Sequence, residues 1–149
     1  MATKSAPSIP TALAPQTSRI RMASFGALTM LIIQFILGTA YAVYGPAPTA
    51  TQPVGIWSTP LLAIHVIAGI LLIIAAVMLV VRAGQARTTS LIVAAAIGLL
   101  AILGAFGAGS AFDGTGNNGA SLVMALLTAV AMLAYAVILL IAGTPRGGA

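Results

Sequence analysis

Four long stretches of the chain contain no Asp, Glu, Lys or Arg: residues 23–44, 60–81, 88–109 and 120–142. A helix of 22 residues spans about 33 Å, enough to cross the ~30 Å hydrocarbon layer of a bilayer. The pattern predicts four transmembrane helices at about these positions. Polar punctuation separates them. Residues 45–59 are rich in Pro, Gly and Thr, and Pro46, Pro48 and Pro53 oppose regular structure. Residues 82–87, RAGQAR, form a short charged turn, and the glycine-rich residues 110–119 turn the chain back.

Local signals sharpen the ends. Ser58 or Thr59 caps the second helix, with Pro60 at its first position. Asn118 or Ser121 caps the fourth, which Gly143, Pro145 and Arg146 end. Residues 1–22 are rich in Ala, Ser, Thr and Pro and read as a disordered cytoplasmic tail, with residues 144–149 as a second tail.

Composition agrees with lipid as the main solvent. Apolar residues make up 60% of the chain and charged ones 5%, against about 25% charged in soluble domains. The net charge of +5 does not point to nucleic acid, because the basic residues sit in ones and twos beside apolar runs. Lys4, Arg19 and Arg21 precede the first helix, Arg82 and Arg87 lie between the second and third, and Arg146 follows the fourth. Threading four helices places all of them on one side, so the positive-inside rule predicts both termini in the cytoplasm. Tyr41, Tyr44 and Trp57 then fall near the outer interface, where amphipathic rings are favoured. The expected fold is an all-α, four-transmembrane-helix bundle, N-in and C-in, multi-pass in the cytoplasmic (inner) membrane.

A competing reading takes residues 1–42 as a secretory signal, with Ala40-Tyr41-Ala42 as its cleavage site. The apolar stretch exceeds the ~7–15 residues of a signal core, and Gln34, Gly38 and Tyr41 share one helical face, as in a packing surface. Retention is the expectation. Ile36-Leu37-Gly38 and Ile102-Leu103-Gly104 lie at matching depths in the first and third helices. That match makes the bundle two pseudo-repeated hairpins, whose overlay brings the surroundings of His65 onto those of Met124.

In lipid, helices associate through close packing and a few polar contacts. Ala94, Gly98, Gly104 and Ala108, and in the fourth helix Ser121, Ala125 and Ala129, supply small-residue seams. Ser121, Thr128 and Tyr135 recur every seven residues and are expected to face the interior.

His65 is the one ionisable side chain within a predicted span, five residues after Pro60 and therefore in the outer leaflet. An intramembrane ionisable group is a functional hypothesis by default. Gly69, one turn further along the same face, leaves room for a flat ligand such as a porphyrin. The cofactor reading is haem b held by His65, with Met124 or a second subunit's His65 opposite. The competing reading is a neutral histidine bonded to Gln34, a tyrosine or a carbonyl. Gln34, near the middle of the first helix, has two donors and an acceptor to satisfy and should face other helices.

Asp113, the one acidic residue, is expected in a loop. Asp113 to Asn117 spaces oxygens as calcium loops do, but a lone carboxylate makes Asx turns among glycines the better explanation. Without cysteine there is no thiolate metal site, disulfide or covalent haem attachment. No Ser/His/Asp set, paired carboxylates, phosphate loop or two-histidine metal site occurs.

The stretches LAIHVIAGILLI, AIGLLAILGAFGAGSAFD and NNGASLVMALLTAVAMLAYAVIL resemble small uncharacterised four-helix membrane proteins of Gram-positive bacteria, especially actinobacteria. The likeness covers residues 23–143 and rests on His65 with Gly69 and on Asn118, Ser121 and Met124. The layout is distantly similar to one four-helix half of haem A synthase or a b-type cytochrome, families that use paired histidines where this chain has one. The function expected first is a non-catalytic accessory or assembly subunit of an inner-membrane complex, for example a respiratory one. Its partners would be the lipid bilayer and other membrane subunits or further copies of itself. A haem-binding redox protein and a small-solute transporter or channel are the alternatives.

Overall fold

The computed structural model describes residues 13–143, with side chains from Ser18 onward. It is all-helical: α1 (Leu13–Tyr44), α2 (Pro60–Gln85), α3 (Thr89–Thr115) and α4 (Asn118–Gly143). All four are long and apolar enough to cross a membrane. Each packs against its chain neighbours, and α1 closes the ring against α4; the diagonal pairs make no close approach. The α3–α4 seam is the most extensive.

Buried positions form one stripe per helix. On α1 they are Ile20, Ser24, Ala27 and Leu31, and on α2 Leu72, Ala76, Leu79 and Ala83. Both sets follow steps of three and four, the helical repeat. The outward faces carry Ile64, Ile67, Ile74, Leu100, Leu133 and similar residues, fully apolar and exposed. A surface of this kind is matched to hydrocarbon, since no polar face remains to meet water. Tyr44 and Trp57, 85% and 81% exposed, stand at the end where α1–α2 and α3–α4 are joined, here called the loop end. Arg19, Arg21, Arg82 and Arg87 belong to the opposite, basic end. Lys4, Pro145 and Arg146 lie outside the described residues, as do the terminal tails 1–12 and 144–149.

Several element boundaries differ from those read from the sequence. The first helix begins at Leu13, so residues 13–22 are helical rather than a disordered tail. Pro15 is tolerated because it falls in the first turn, where its missing N–H has no intrahelical partner to lose. Ile20, only 1% exposed, extends the buried stripe of α1 by a turn, while Arg19 and Arg21 on either side of it stay exposed. The third helix runs through Gly107, Gly109 and Gly114 to Thr115, so Asp113 lies in its last turn and not in a loop. Gly116 ends it in the left-handed conformation at φ 69°, its N–H donating to the Phe112 carbonyl at 2.7 Å.

Thr59 caps α2, its Oγ1 accepting from the Leu62 N–H at 3.2 Å. The cap of α4 is Asn117 rather than Asn118 or Ser121. Its Oδ1 accepts from the Gly119 N–H at 2.8 Å, and its carbonyl accepts from Ala120 and Ser121.

The two ends of the bundle are built differently. The buried residues of α3 and α4 (Leu91, Ala94, Ala95, Ala101 and Ile102; Ala131, Tyr135, Ile138 and Ala142) cluster with those of α1 and α2 in the basic half. Alanines and Gly98 let the backbones close up there, as helices in lipid require. The Tyr135 ring lies flat on α3 at Gly98, where a Cβ would meet Cε1 at 2.5 Å. In the loop half only Leu62, Gly69 and Tyr41 are buried on α1 and α2, and the helices there enclose a cavity instead.

Candidate functional site

The cavity has a volume of about 680 Å³ and is walled by all four helices and the loop between α1 and α2. That volume lies within the ~300–1,000 Å³ range of small-molecule sites. The loop that roofs it is pinned to the end of α3 at two points. The Val54 N–H donates to the Asp113 carbonyl at 3.0 Å. Gly116 packs against the Pro48 carbonyl so closely that a Cβ there would collide with it. A turn closed by paired Thr49 and Gln52 backbone bonds, each 3.1 Å, stiffens the loop between these anchors.

Helical spacing brings the polar residues of the spans onto this one space. Gln34, Gly38 and Tyr41 face it from α1, His65 and Gly69 from α2, and Ser121, Met124 and Thr128 from α4. The sole histidine and the sole acidic residue of the chain, His65 and Asp113, line the same cavity. Tyr135 does not reach it; it is fully buried in the packed half. The expected seam of Ser121, Ala125 and Ala129 is not a seam, since the first two line the cavity and Ala129 is exposed on the outside.

The contacts within the site reassign its parts. Gln34 donates through Nε2 to the backbone carbonyl of His65 at 2.7 Å, not to the imidazole. Gly69 makes room for that amide: a Cβ at Gly69 would stand 2.8 Å from Gln34 Nε2. The space over Gly69 assigned to a flat ligand is therefore filled by Gln34. The imidazole instead rests on Gly38, whose Cβ position lies 3.0 Å from His65 Cε1. Met124 packs on α3, with Sδ 3.0 Å from the Cβ position of Gly109.

Hydroxyls on this wall are largely spent within their own helices. Thr39 donates to Phe35 at 2.8 Å, Ser110 to Phe106 at 3.1 Å and Thr128 to Met124 at 2.8 Å. Three other polar atoms on the wall are buried and have no hydrogen-bond partner in the protein: Gln34 Oε1, Tyr41 Oη and His65 Nδ1. A buried polar atom left unpaired costs roughly 1–3 kcal/mol, and natural proteins keep such atoms rarely. These three sit in residues that line the cavity but are themselves sealed beneath its surface.

Asp113 is the member that sequence reasoning missed. It stands eleven residues after Ile102, three helical turns along the same face. The αL glycine at position 116 was the signal that the helix continues that far. Fold and site together define the class, a bundle of four membrane-span-capable helices that is solid at one end and hollow at the other. Compared with known protein families, curated proteins and solved structures, the chain matches none.

Proposed function

We propose that this chain is a small non-catalytic integral membrane protein that holds a lipid-soluble molecule in the hollow half of its bundle, and does so as an accessory or assembly subunit of an inner-membrane complex. The observation that carries this reading is the cavity of about 680 Å³ enclosed by all four helices and the α1–α2 loop. Phe35, Thr39 and Ala42 line the cavity and are at the same time exposed on the flank of α1. That opening faces the hydrocarbon once the bundle is in a bilayer, so a molecule dissolved in lipid reaches the site without crossing water. The placement of Arg19, Arg21, Arg82 and Arg87 at one end of the bundle supports an orientation with that end in the cytoplasm.

Glycine contacts also support a repeated hairpin. Gly38 of α1 abuts His65 of α2, and Gly104 of α3 abuts Leu127 of α4. This correspondence pairs His65 with Leu127, three residues beyond Met124.

Purification in mild detergent followed by mass spectrometry of the intact assembly tests the reading. A co-purifying small molecule is expected, together with a stoichiometric protein partner. Ala125→Trp, which fills the cavity, should release the small molecule. A bare chain, with no added mass beyond the polypeptide in either the parent or the variant, overturns the proposal.

Haem b is the second reading, favoured by His65 and Met124 lining the one cavity from diagonal helices. It requires the Gln34 amide to leave its place over Gly69. A Soret band lost in His65→Ala supports it, and no band with haem supplied in excess removes it.

A further inference from the structure

The sole acidic residue of the chain is placed where a carboxylate is least compensated. Asp113 occupies the last turn of α3, beside the negative end of the helix dipole, where acids are disfavoured and cations favoured. The loop of residues 45–59 and the α3–α4 connection contain no Lys or Arg. Among the described residues the carboxylate has no basic partner. At the wall of a mostly apolar cavity a carboxyl group without a counterion in the chain is ionised only when a cation from outside accompanies it.

The rest of the wall has the same polarity. Gln34 spends its Nε2 on the His65 carbonyl, and its unpartnered Oε1, an acceptor, is sealed within the cavity wall. The Tyr41 oxygen, on a residue only 6% exposed, is likewise buried and unpartnered. His65 Nδ1 accepts in the Nε2–H tautomer. The rings of Phe35, Tyr41, Phe106 and Phe112 complete the lining, and aromatic faces attract cations. An anion meets repulsion at this wall. A neutral alcohol bonds to one or two acceptors but leaves the carboxylate without a counterion.

We propose that the molecule held in the hollow half is a lipophilic organic ammonium, its charged group at Asp113 and its hydrocarbon part against the phenylalanines. This assignment rests on the cavity being a binding site and adds the charge of the occupant. Three probes of one shape separate the two claims: naphthylmethylammonium, naphthylmethanol and naphthoate. Each is measured by equilibrium dialysis against the full-length protein in maltoside micelles, with empty micelles subtracted.

The ammonium should bind at least about tenfold more tightly than the alcohol, and naphthoate should stay at the level of empty micelles. Asp113→Asn should bring the ammonium down to the affinity of the alcohol and leave the alcohol within about twofold. Ala125→Trp should abolish both. Equal binding of ammonium and alcohol in the unaltered protein overturns the ammonium assignment while the cavity remains a site, and this comparison stands even if Asp113→Asn does not fold. Retention of the ammonium preference in a folded Asp113→Asn variant overturns it equally. No binding of any probe above empty micelles overturns both claims.

Discussion

Replacing Gly98 by alanine adds one methyl group to the seam between α3 and α4, and the structure sets the size of the effect. The new Cβ would lie 2.5 Å from Cε1, 2.8 Å from Cζ and 3.1 Å from Cδ1 of Tyr135. Carbon atoms in good contact sit ~3.5–4.0 Å apart, so the ring or the helix must move by about 1 Å. The ring has little room to move, because Tyr135 is 0% exposed and belongs to the buried cluster that includes Ala131 and Ile138. Overpacking of this kind costs ~1–3 kcal/mol, and a rigid ring places it in the upper part of that range. Alanine returns about 0.8–1.0 kcal/mol over glycine in a helix, leaving a net loss of ~1–2 kcal/mol.

Gly107, on the same helix, has nothing within 4 Å of its Cβ position. Gly107→Ala should therefore gain up to ~1 kcal/mol. The assay is unfolding by SDS titration in mixed micelles, with both variants beside the parent. The double variant Gly98→Ala, Tyr135→Leu should recover ~1–2 kcal/mol relative to the sum of the single changes. If Gly98→Ala is as stable as Gly107→Ala, or if the double variant is simply additive, the close seam described here is wrong.

Four further outcomes follow from the packing. Ile20→Ala should cost ~2–5 kcal/mol in the same titration, as a buried position does; a cost near zero would mean that residues 13–22 do not join the bundle. Gly116→Ala forces a side chain to φ 69° and against the Pro48 carbonyl, so it should lose more than ~1–2 kcal/mol and speed proteolysis within residues 45–59. Tyr135→Phe removes a buried hydroxyl that has no partner and should be neutral or stabilising, by up to ~1–3 kcal/mol; a clear loss would reveal a bond to that oxygen. Thr59→Ala, which deletes the cap on Leu62, should cost about 1 kcal/mol, seen as faster amide exchange in the first turn of α2.

The helices were legible in the sequence because charge-free runs of this length have few other solutions, and Thr59-Pro60 marked its boundary through local chemistry alone. The start of α1 was hidden by Arg19 and Arg21. They flank Ile20 and make the segment look polar, although only Ile20 and Ser24 of that turn point inward. The end of α3 was hidden by glycines, which read as turn formers but are held helical here and bring Met124 close at Gly109. With that end misplaced, Asp113 fell in a loop and the most informative polar residue left the candidate set.

His65, Met124, Ser121 and Thr128, singled out in the sequence for different reasons, all line one space. A bond between Gln34 and His65 was among the sequence alternatives, but its form was not legible: a flexible amide reaches the backbone carbonyl over Gly69, and the imidazole is left aside.

The division of the bundle into a solid and a hollow half has a consequence for traffic across the membrane. From Leu72 to Ala83 the buried stripe of α2 continues for eleven residues, a plug about 17 Å deep. The cavity therefore ends blind. On the reading that the hollow half holds a molecule, its occupant would exchange with the monolayer at the loop end and not with the other, so the two faces of the membrane would be unequal to it. Passage of a solute through the described residues would require prising apart the seam at Gly98 and Tyr135.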